Sequence, residues 1–301
     1  VIPTNTGTLR PTWAAPQTRK FKYDKVLPNV GLNFKITQAA SVFANYSKGL
    51  SVPGTDSLYN AFFFAQDNAA AQPAPETTDS FDLGARYTTG KFQAQGSFWY
   101  TSYKNRLASA FDPELNVSVY RNLGKVEKYG FDGSVSYQPI ENVSLYVFGS
   151  YLKSKIQDDI QIGTVTVAGV TTPVFAPTAG KRESGAPVYT IGARGEVNYE
   201  GVTLGIQAKR TGRRYVYDTN LPTYRGTTAA PVEIYSAAAP SYTLVDLDAR
   251  VSLARFGVPD TYFQLNVSNL FYKFYVGGFG GGLNQSITLA TGAYGSPGFV
   301  Q

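Results

Sequence analysis

Tyr242-Thr243-Leu244-Val245-Asp246-Leu247-Asp248-Ala249-Arg250-Val251-Ser252-Leu253 is the stretch whose reading decides the fold. Val245, Leu247, Ala249, Val251 and Leu253 alternate with Asp246, Asp248, Arg250 and Ser252. A period of two makes a β-strand with one apolar and one polar face. A soluble sandwich carries the same pattern, so the neighbouring sequence has to decide. A short turn, Gly257-Val258-Pro259-Asp260, leads into Phe263, Leu265 and Val267, which alternate with Gln264, Asn266 and Ser268. Long alternating strands, joined by short turns at one end and long loops at the other, indicate an all-β, transmembrane antiparallel β-barrel.

The pattern repeats back towards the N-terminus. Tyr189 to Tyr199 and Val202 to Ala208 flank Glu200-Gly201. Tyr129 to Tyr137 and Val143 to Tyr151 flank Pro139-Ile140-Glu141-Asn142. Phe81 to Tyr87 and Phe92 to Tyr100 flank Thr89-Gly90, and Val30 to Ile36 and Val42 to Tyr46 flank Thr37-Gln38-Ala39-Ala40. The total is about ten strands. The other connections are long: Val52 to Thr78, a loop near Phe111-Asp112-Pro113, Asp158 to Pro187, and Asp218 to Ser241. Thr164 to Val174, inside the third of these, reads as a small hairpin. Residues 277–301 are rich in Gly and Ser and hold no full strand. No internal repeat of fixed length points to a propeller or solenoid.

Composition narrows the chemistry. Charged residues are only 16% while Tyr numbers 22 and Phe 19, which opposes disorder and suits strands with aromatic girdles. No run of about 18 apolar residues is present, so no helix is expected to span a bilayer. Cys, His and Met are all absent. That removes disulfides, His-based triads and the usual protein ligands of zinc, copper, haem and iron–sulfur centres. The net charge of +6 comes without a basic run interleaved with aromatics, so no nucleic acid is expected as partner. Val1-Ile2-Pro3-Thr4 lacks the charged and apolar regions of a signal peptide.

Several segments then stand in a telling order. They are Pro75-Glu76 with Ser80-Phe81-Asp82-Leu83-Gly84; Phe98-Trp99-Tyr100 with Tyr103-Lys104-Asn105; and Asn122-Leu123-Gly124-Lys125-Val126 with Tyr129-Gly130-Phe131-Asp132. Gly180-Lys181-Arg182 with Ala186-Pro187, and Gly212-Arg213-Arg214-Tyr215, follow. Tyr242 to Asp246, Leu265-Asn266-Val267-Ser268-Asn269-Leu270-Phe271 and Lys273-Phe274-Tyr275 close the series. Over roughly residues 25–275 this order and spacing resembles the C-terminal half of a TonB-dependent outer-membrane receptor, with Asp82 where the family pattern has Glu.

The resemblance implies about ten strands of a larger plugged barrel of about 22 strands. Residues 1–301 are then expected to be the C-terminal portion of the barrel domain, without the plug domain, the TonB box or the final closing strand. Gly298-Phe299-Val300-Gln301 reads as the approach to that strand. A half barrel leaves two unpaired edges in lipid, where each unsatisfied backbone group costs several kcal/mol, so a longer chain is expected.

The implied function is transport, not catalysis. A scarce nutrient, most simply a ferric siderophore, binds extracellular loops and enters through the plugged barrel on energy transmitted by TonB. The location implied is the cell outer membrane of a Gram-negative bacterium. The implied partners are the TonB–ExbB–ExbD system through the missing N-terminal part, outer-membrane lipid and lipopolysaccharide, and a small-molecule ligand. Iron arrives inside the ligand, so no resident cofactor or protein-bound metal is implied. The alternatives are a passive porin or diffusion channel, and a soluble β-rich binding protein whose outward face should be charged.

Under that resemblance the binding residues lie in long loops and at outer strand ends. Phe62, Phe63 and Phe64 offer a stacking surface, or a loop packed on itself. Arg213, Arg214, Tyr215 and Tyr217 offer guanidinium groups that grip a carboxylate or phosphate bidentately, or an interfacial girdle against lipopolysaccharide. Tyr120-Arg121 and Tyr224-Arg225 repeat the aromatic–basic pairing. Asp246, Asp248 and Arg250 are expected to face the lumen and meet the plug or neighbouring strands. Glu76 is expected to order the passage from loop to strand.

Overall fold

A computed structural model describes residues 18–54, 58, 74–112, 117–122, 124–167, 170–227, 230–279 and 299–300. In chain order its strands are β1 (Asn29–Lys35), β2 (Ala40–Ser51), β3 (Glu76–Thr88), β4 (Phe92–Lys104), β5 (Leu107–Asp112), β6 (Val117–Asn122), β7 (Val126–Ile140) and β8 (Val143–Ile156). Then come β9 (Ile160–Val167), β10 (Val170–Ala176), β11 (Tyr189–Tyr199), β12 (Val202–Thr211), β13 (Arg214–Tyr215), β14 (Thr223–Thr227) and β15 (Ala230–Tyr235). The last are β16 (Ala238–Ala239), β17 (Tyr242–Ser252), β18 (Tyr262–Val267), β19 (Gly278–Phe279) and β20 (Phe299–Val300).

One antiparallel sheet takes ten of them, in the order β1-β2-β3-β4-β7-β8-β11-β12-β17-β18. No described helix is long and apolar enough to cross a membrane. Tight turns close one end of this sheet. At Glu200-Gly201 both residues have positive φ, 47° and 83°, as a two-residue hairpin of matching twist requires. At the first turn the Thr37 hydroxyl accepts from the backbone N–H of Ala39 and Ala40, at 3.1 and 2.9 Å. The opposite end carries the long connections.

Register keeps one face apolar across all ten strands. Leu83 pairs with Ala44 and Phe98; Phe98 pairs with Phe131; Phe131 pairs with Tyr151. Further on, Val147 pairs with Ala193, Ala193 with Ala208, Ile206 with Leu247, and Leu247 with Val267. This face is bare: Leu83 is 61% exposed, Phe98 51% and Leu204 54%. A patch of this extent on a monomer marks a surface made for an apolar partner. Aromatic rings bound it at both ends. Tyr87, Phe92 and Tyr137 form one row, with ring centroids 6.0 and 6.4 Å apart. Tyr46, Phe81 and Tyr100 form the other, at 4.8 and 6.4 Å. Phe92 and Tyr100 share β4 eight residues apart, about 26 Å at 3.3 Å per residue, which matches a bilayer's apolar band.

The other face is polar and interlocked. Large side chains lie over glycines of the next strand, so a Cβ on Gly84 would stand 2.3 Å from the Phe43 ring and one on Gly192 2.5 Å from the Phe148 ring. The Trp99 ring covers Gly130 in the same way, and its indole N–H donates to Asp132 at 2.7 Å.

A small core sits at the long-loop end, where Val126, Ile156, Ile160 and Ala176 are buried with Tyr103 packed against them. Here the structure departs from the sequence reading. The stretch near Phe111 is not a plain loop but the paired hairpin β5–β6. Asp218 to Ser241 holds a second hairpin, β14–β15. The expected hairpin at Thr164 to Val174 is larger, β9–β10, and β3 begins at Glu76, two residues before the loop was expected to end. These strands are short and partly polar, so period-two alternation has too few residues in which to show.

Candidate functional site

The long-loop end gathers the charged and buried polar groups. Arg106, just beyond β4, reaches Glu76 Oε2 at 2.8 Å and Glu183 Oε1 at 3.0 Å. Glu76 also accepts from the Leu107 N–H at 3.1 Å, which fixes the start of β3 to the start of β5. Lys128 of β7 pairs with the other oxygen of Glu183, and Lys128 and Arg106 stack on the Tyr103 ring at 4.8 and 5.1 Å. Burial opposes the Arg106 charge, but its hydrogen bond to Glu76 and the charge of Glu183 hold the guanidinium above its ordinary value.

The segment 211–223 packs on the segment 177–188. Asn220, with φ of 52°, occupies the left-handed region that Asn tolerates. Its side chain accepts from the Arg182 N–H at 2.8 Å and donates to the Arg182 carbonyl at 2.7 Å and the Tyr217 carbonyl at 2.9 Å. Asp218 is 2% exposed and accepts from the Ser184 N–H at 2.7 Å. Burial pushes its carboxyl above the usual range and pushes the Tyr217 phenol up as well. The Arg182 side chain donates to the Leu152 carbonyl, and burial lowers its pKa.

The expected site residues fall into three groups. Arg213, Arg214, Tyr215 and Tyr217 are together, but not equivalent. Arg213 is exposed, with its guanidinium 5.7 Å from the Tyr215 ring. Arg214 donates to the carbonyls of Gly277, at 2.7 Å, and Val276, and lies 5.8 Å over Tyr242. It therefore ties the segment after β18 to β13. Tyr217 is half-buried in the loop.

Asp246, Asp248 and Arg250 all lie on the polar face of β17, engaged with the wall itself. Asp246 accepts from the Asn269 N–H at 2.8 Å. Asp248 accepts from Arg194 at 2.6 and 2.9 Å, and Arg250 lies 3.9 Å over the Tyr262 ring. Phe62, Phe63 and Phe64 lie outside the described residues. Tyr120 and Arg121 stand on β6, and Tyr224 and Arg225 on β14, but their side chains lie outside the described residues too.

Arg106, Glu183, Asp218 and Asn220 escaped the sequence reading, and Arg182 entered it only as part of Gly180-Lys181-Arg182. They sit in irregular loops, where no periodicity marks burial. The one available signal was the presence of charged residues beside short turn-forming stretches.

Among the described residues no group of carboxylates could hold a metal ion. The site offers loop guanidinium and phenol groups above a strand wall. Comparison with known proteins agrees with that architecture. The family "TonB dependent receptor-like, beta-barrel" matches residues 3–270. No curated protein matches the chain in sequence. Among solved structures, the copper transporter OprC is similar with a TM-score of 0.58 at 15% identity, over 82% of this chain and 33% of that one. BauA, the ferric preacinetobactin receptor from Acinetobacter baumannii, scores 0.56 at 21% identity, over 90% and 34%. FyuA, the ferric yersiniabactin uptake receptor from Yersinia pestis, scores 0.56 at 16% identity, over 83% and 33%. The chain thus spans about a third of the length of the structures it resembles. With its ten-stranded sheet and its match over residues 3–270, the chain belongs to the TonB-dependent receptor β-barrel family.

Proposed function

We propose that the chain is the C-terminal barrel portion of an outer-membrane receptor of a Gram-negative bacterium that imports a ferric siderophore on TonB-transmitted energy. The observation that carries this is the family match, joined to a wall with one continuous apolar face bounded by two aromatic rows. The tight-turn end then faces the periplasm and the long-loop end the exterior. The names of the similar structures, two ferric receptors and a copper transporter, favour metal-complex uptake over passive diffusion.

In this reading Arg213 and Tyr215 present a cation and a ring to an anionic chelate at the outer mouth. The family resemblance assigns Phe62, Phe63, Phe64, Tyr120, Arg121, Tyr224 and Arg225 to ligand binding as well. Arg214 and Tyr217 shape it from behind. The ligand supplies its own iron coordination, so a chain without Cys, His or Met meets no chemical obstacle. The TonB–ExbB–ExbD system acts through the plug, not through these residues, and the apolar wall meets outer-membrane lipid and lipopolysaccharide.

The test is equilibrium binding of a panel of ferric chelates to the native receptor in detergent. One chelate should bind in the submicromolar range, and the Arg213→Ala, Tyr215→Ala double variant should lose about tenfold, the worth of one charge-assisted contact. A native protein that binds no chelate, yet conducts ions freely in planar bilayers, would instead be a diffusion channel.

A further inference from the structure

The polar face of the sheet divides into two parts of different chemistry. On β11, β12 and β17 strand alternation assigns to it Arg194, Glu196, Lys209, Asp246, Asp248 and Arg250. On β4, β7 and β8 the same alternation gives a different set. From Thr101 to Gln93, from Gly130 to Ser136 and from Ser150 to Ser144 it holds hydroxyls, amides, one glycine and three rings, Trp99, Tyr146 and Phe148. The one charge there is Asp132, whose carboxylate accepts from the Trp99 indole N–H at 2.7 Å. Charge resumes on either side of this strip, at Arg86 of β3, 4.5 Å over the Phe43 ring, and at Arg194 of β11.

The rings of the strip lie along the wall. Trp99 covers Gly130 and Phe148 covers Gly192, at 2.6 and 2.5 Å from where a Cβ would stand. A ring laid over a glycine packs one face on the backbone and turns the other to the open side. Tyr146 stacks beside Phe148, with centroids 5.6 Å apart and planes at 27°, and is 40% exposed. Phe148 is opposite Ser134, and Ser134 is opposite Gln95. The Phe148 level is therefore four residues below Trp99, about 13 Å along the strand. Trp99 stands as far again below Tyr103 at the long-loop end. The strip is three strands wide, about 10 Å between its outer strand axes. A surface that passes a solute along must hold it firmly enough to admit it and weakly enough, at several sites, to release it. Neutral hydrogen bonds to hydroxyls and amides are nearly matched by bonds to water, so they make no deep well. Charge-assisted bonds hold harder.

The geometry points to a lane for the passing ligand along β4, β7 and β8, with Trp99 as its upper stacking station, the Tyr146–Phe148 pair as its lower one, and Ser97 and Ser134 between them. It rests on the receptor reading proposed above, in which the polar face lines the lumen and a plug fills it. The ligand the lane fits is a chelate with flat, ring-bearing flanks. Its faces stack on the wall rings, and its polar edges pass from one hydroxyl or amide to the next. A plug segment resting on the charged strands β11, β12 and β17 gives up charge-assisted bonds when it moves, whereas one resting on the strip gives up neutral ones. The passage therefore opens on the strip side. The lane is separate from the mouth residues Arg213 and Tyr215, and from Asp246, Asp248 and Arg250.

Ser136 and Gln207 share one row of the ladder, Ser136–Tyr146–Arg194–Gln207, and both are half-exposed. One reports on the lane and the other on the charged strands. The chain has no cysteine of its own, so within it a thiol label reports only the position chosen. The experiment places Ser136→Cys or Gln207→Cys in the native receptor, in cells with an active TonB system, and adds a hydrophilic maleimide. Radioactive iron is supplied or withheld as the chelate that the binding panel selects. During uptake Ser136→Cys should react about tenfold faster than at rest, the change from a minor to a dominant open state. Gln207→Cys should keep its resting rate. A bulky label at Ser136→Cys should then stop iron uptake, while the same label at Gln207→Cys leaves it at the parent's rate. Equal acceleration at both cysteines, or uptake that survives the label at Ser136→Cys, overturns the lane alone. Failure of the uptake reading looks different: the parent takes up iron from no chelate, which removes that reading and the lane together. Labels are added after folding, and heat-modifiable gel mobility of both unlabelled variants, expected to match the parent, separates a blocked lane from lost folding.

Discussion

The guanidinium of Arg194 on β11 passes over Gly205 of β12 and holds both carboxylate oxygens of Asp248 on β17, at 2.6 and 2.9 Å. A second contact to Glu196, at 2.8 Å, fixes its other edge. A Cβ on Gly205 would stand 2.4 Å from Arg194 and 2.6 Å from Asp248. The glycine is the gap that lets an ion pair span three strands.

Gly205→Ala should therefore cost about 1–2 kcal/mol, because the added methyl displaces the guanidinium from its carboxylate. The same substitution in an Arg194→Ala background should cost clearly less, since the main obstacle is gone. Urea unfolding in detergent, followed by heat-modifiable gel mobility, reads both. Equal costs in the two backgrounds would show that the gap does not serve the ion pair.

Gly130 offers a harsher version of the same contact. A Cβ there would meet the Tyr151 carbonyl oxygen at 2.2 Å and the Trp99 ring at 2.6 Å. A side chain can rotate away, whereas the backbone of β8 cannot. Gly130→Ala should destabilise the wall by about 3 kcal/mol. Gly90→Ala, whose Cβ would meet nothing within 4 Å, should be nearly neutral. The folded fraction at matched urea concentration compares the two.

These contacts also show what the sequence could and could not reveal. The wall was legible because each strand repeats one physical constraint many times, as Tyr189 to Tyr199 does over five alternations. A register slip of one residue would invert every face, so pattern and pairing agree. Asp248 was legible as a polar-face residue for the same reason. Its partner was not, because Arg194 lies two strands away and nothing local links the two. The mouth was the least legible part. Loops that pack on one another leave Glu183 half-buried and bury Asp218, and a loop's burial has no period.

Glu183 should be the keystone of that mouth. Its two carboxylate oxygens meet Arg106 and Lys128, its N–H donates to Ser154 at 3.1 Å, and its side chain is only 15% exposed. Glu183→Gln leaves two partly buried cations short of one charge and should loosen residues 177–188 locally by about 2–3 kcal/mol. Amide exchange in that segment should rise more than tenfold (about 1.4 kcal/mol per decade), while exchange in the middle of β11 stays unchanged. Undiminished protection of the loop would mean that the packing of Val126, Ile156 and Ile160 holds it without the ion network.

Asp218 gives the loop a pH dependence of definite sign. Burial, its largest influence, raises the carboxyl pKa, against the hydrogen bond from Ser184 that lowers it; Glu183 adds to the rise and Arg106 opposes it. Below the ordinary carboxylate value of about 3.9, folded and opened loops are both protonated and nothing is gained or lost. As pH rises past that value, the opened loop releases its proton first. The closed loop then loses stability until pH passes its own raised pKa, and the penalty stays constant above it. Protection of the Ser184 amide, corrected for intrinsic exchange, should therefore be higher near about pH 4 than at about pH 7. Asp218→Asn keeps an acceptor for the Ser184 N–H and cannot ionise, so its protection should be level across the same range. Protection in the parent that rises with pH would mean that Arg106 and the Ser184 hydrogen bond outweigh burial, and that Asp218 is held as an anion.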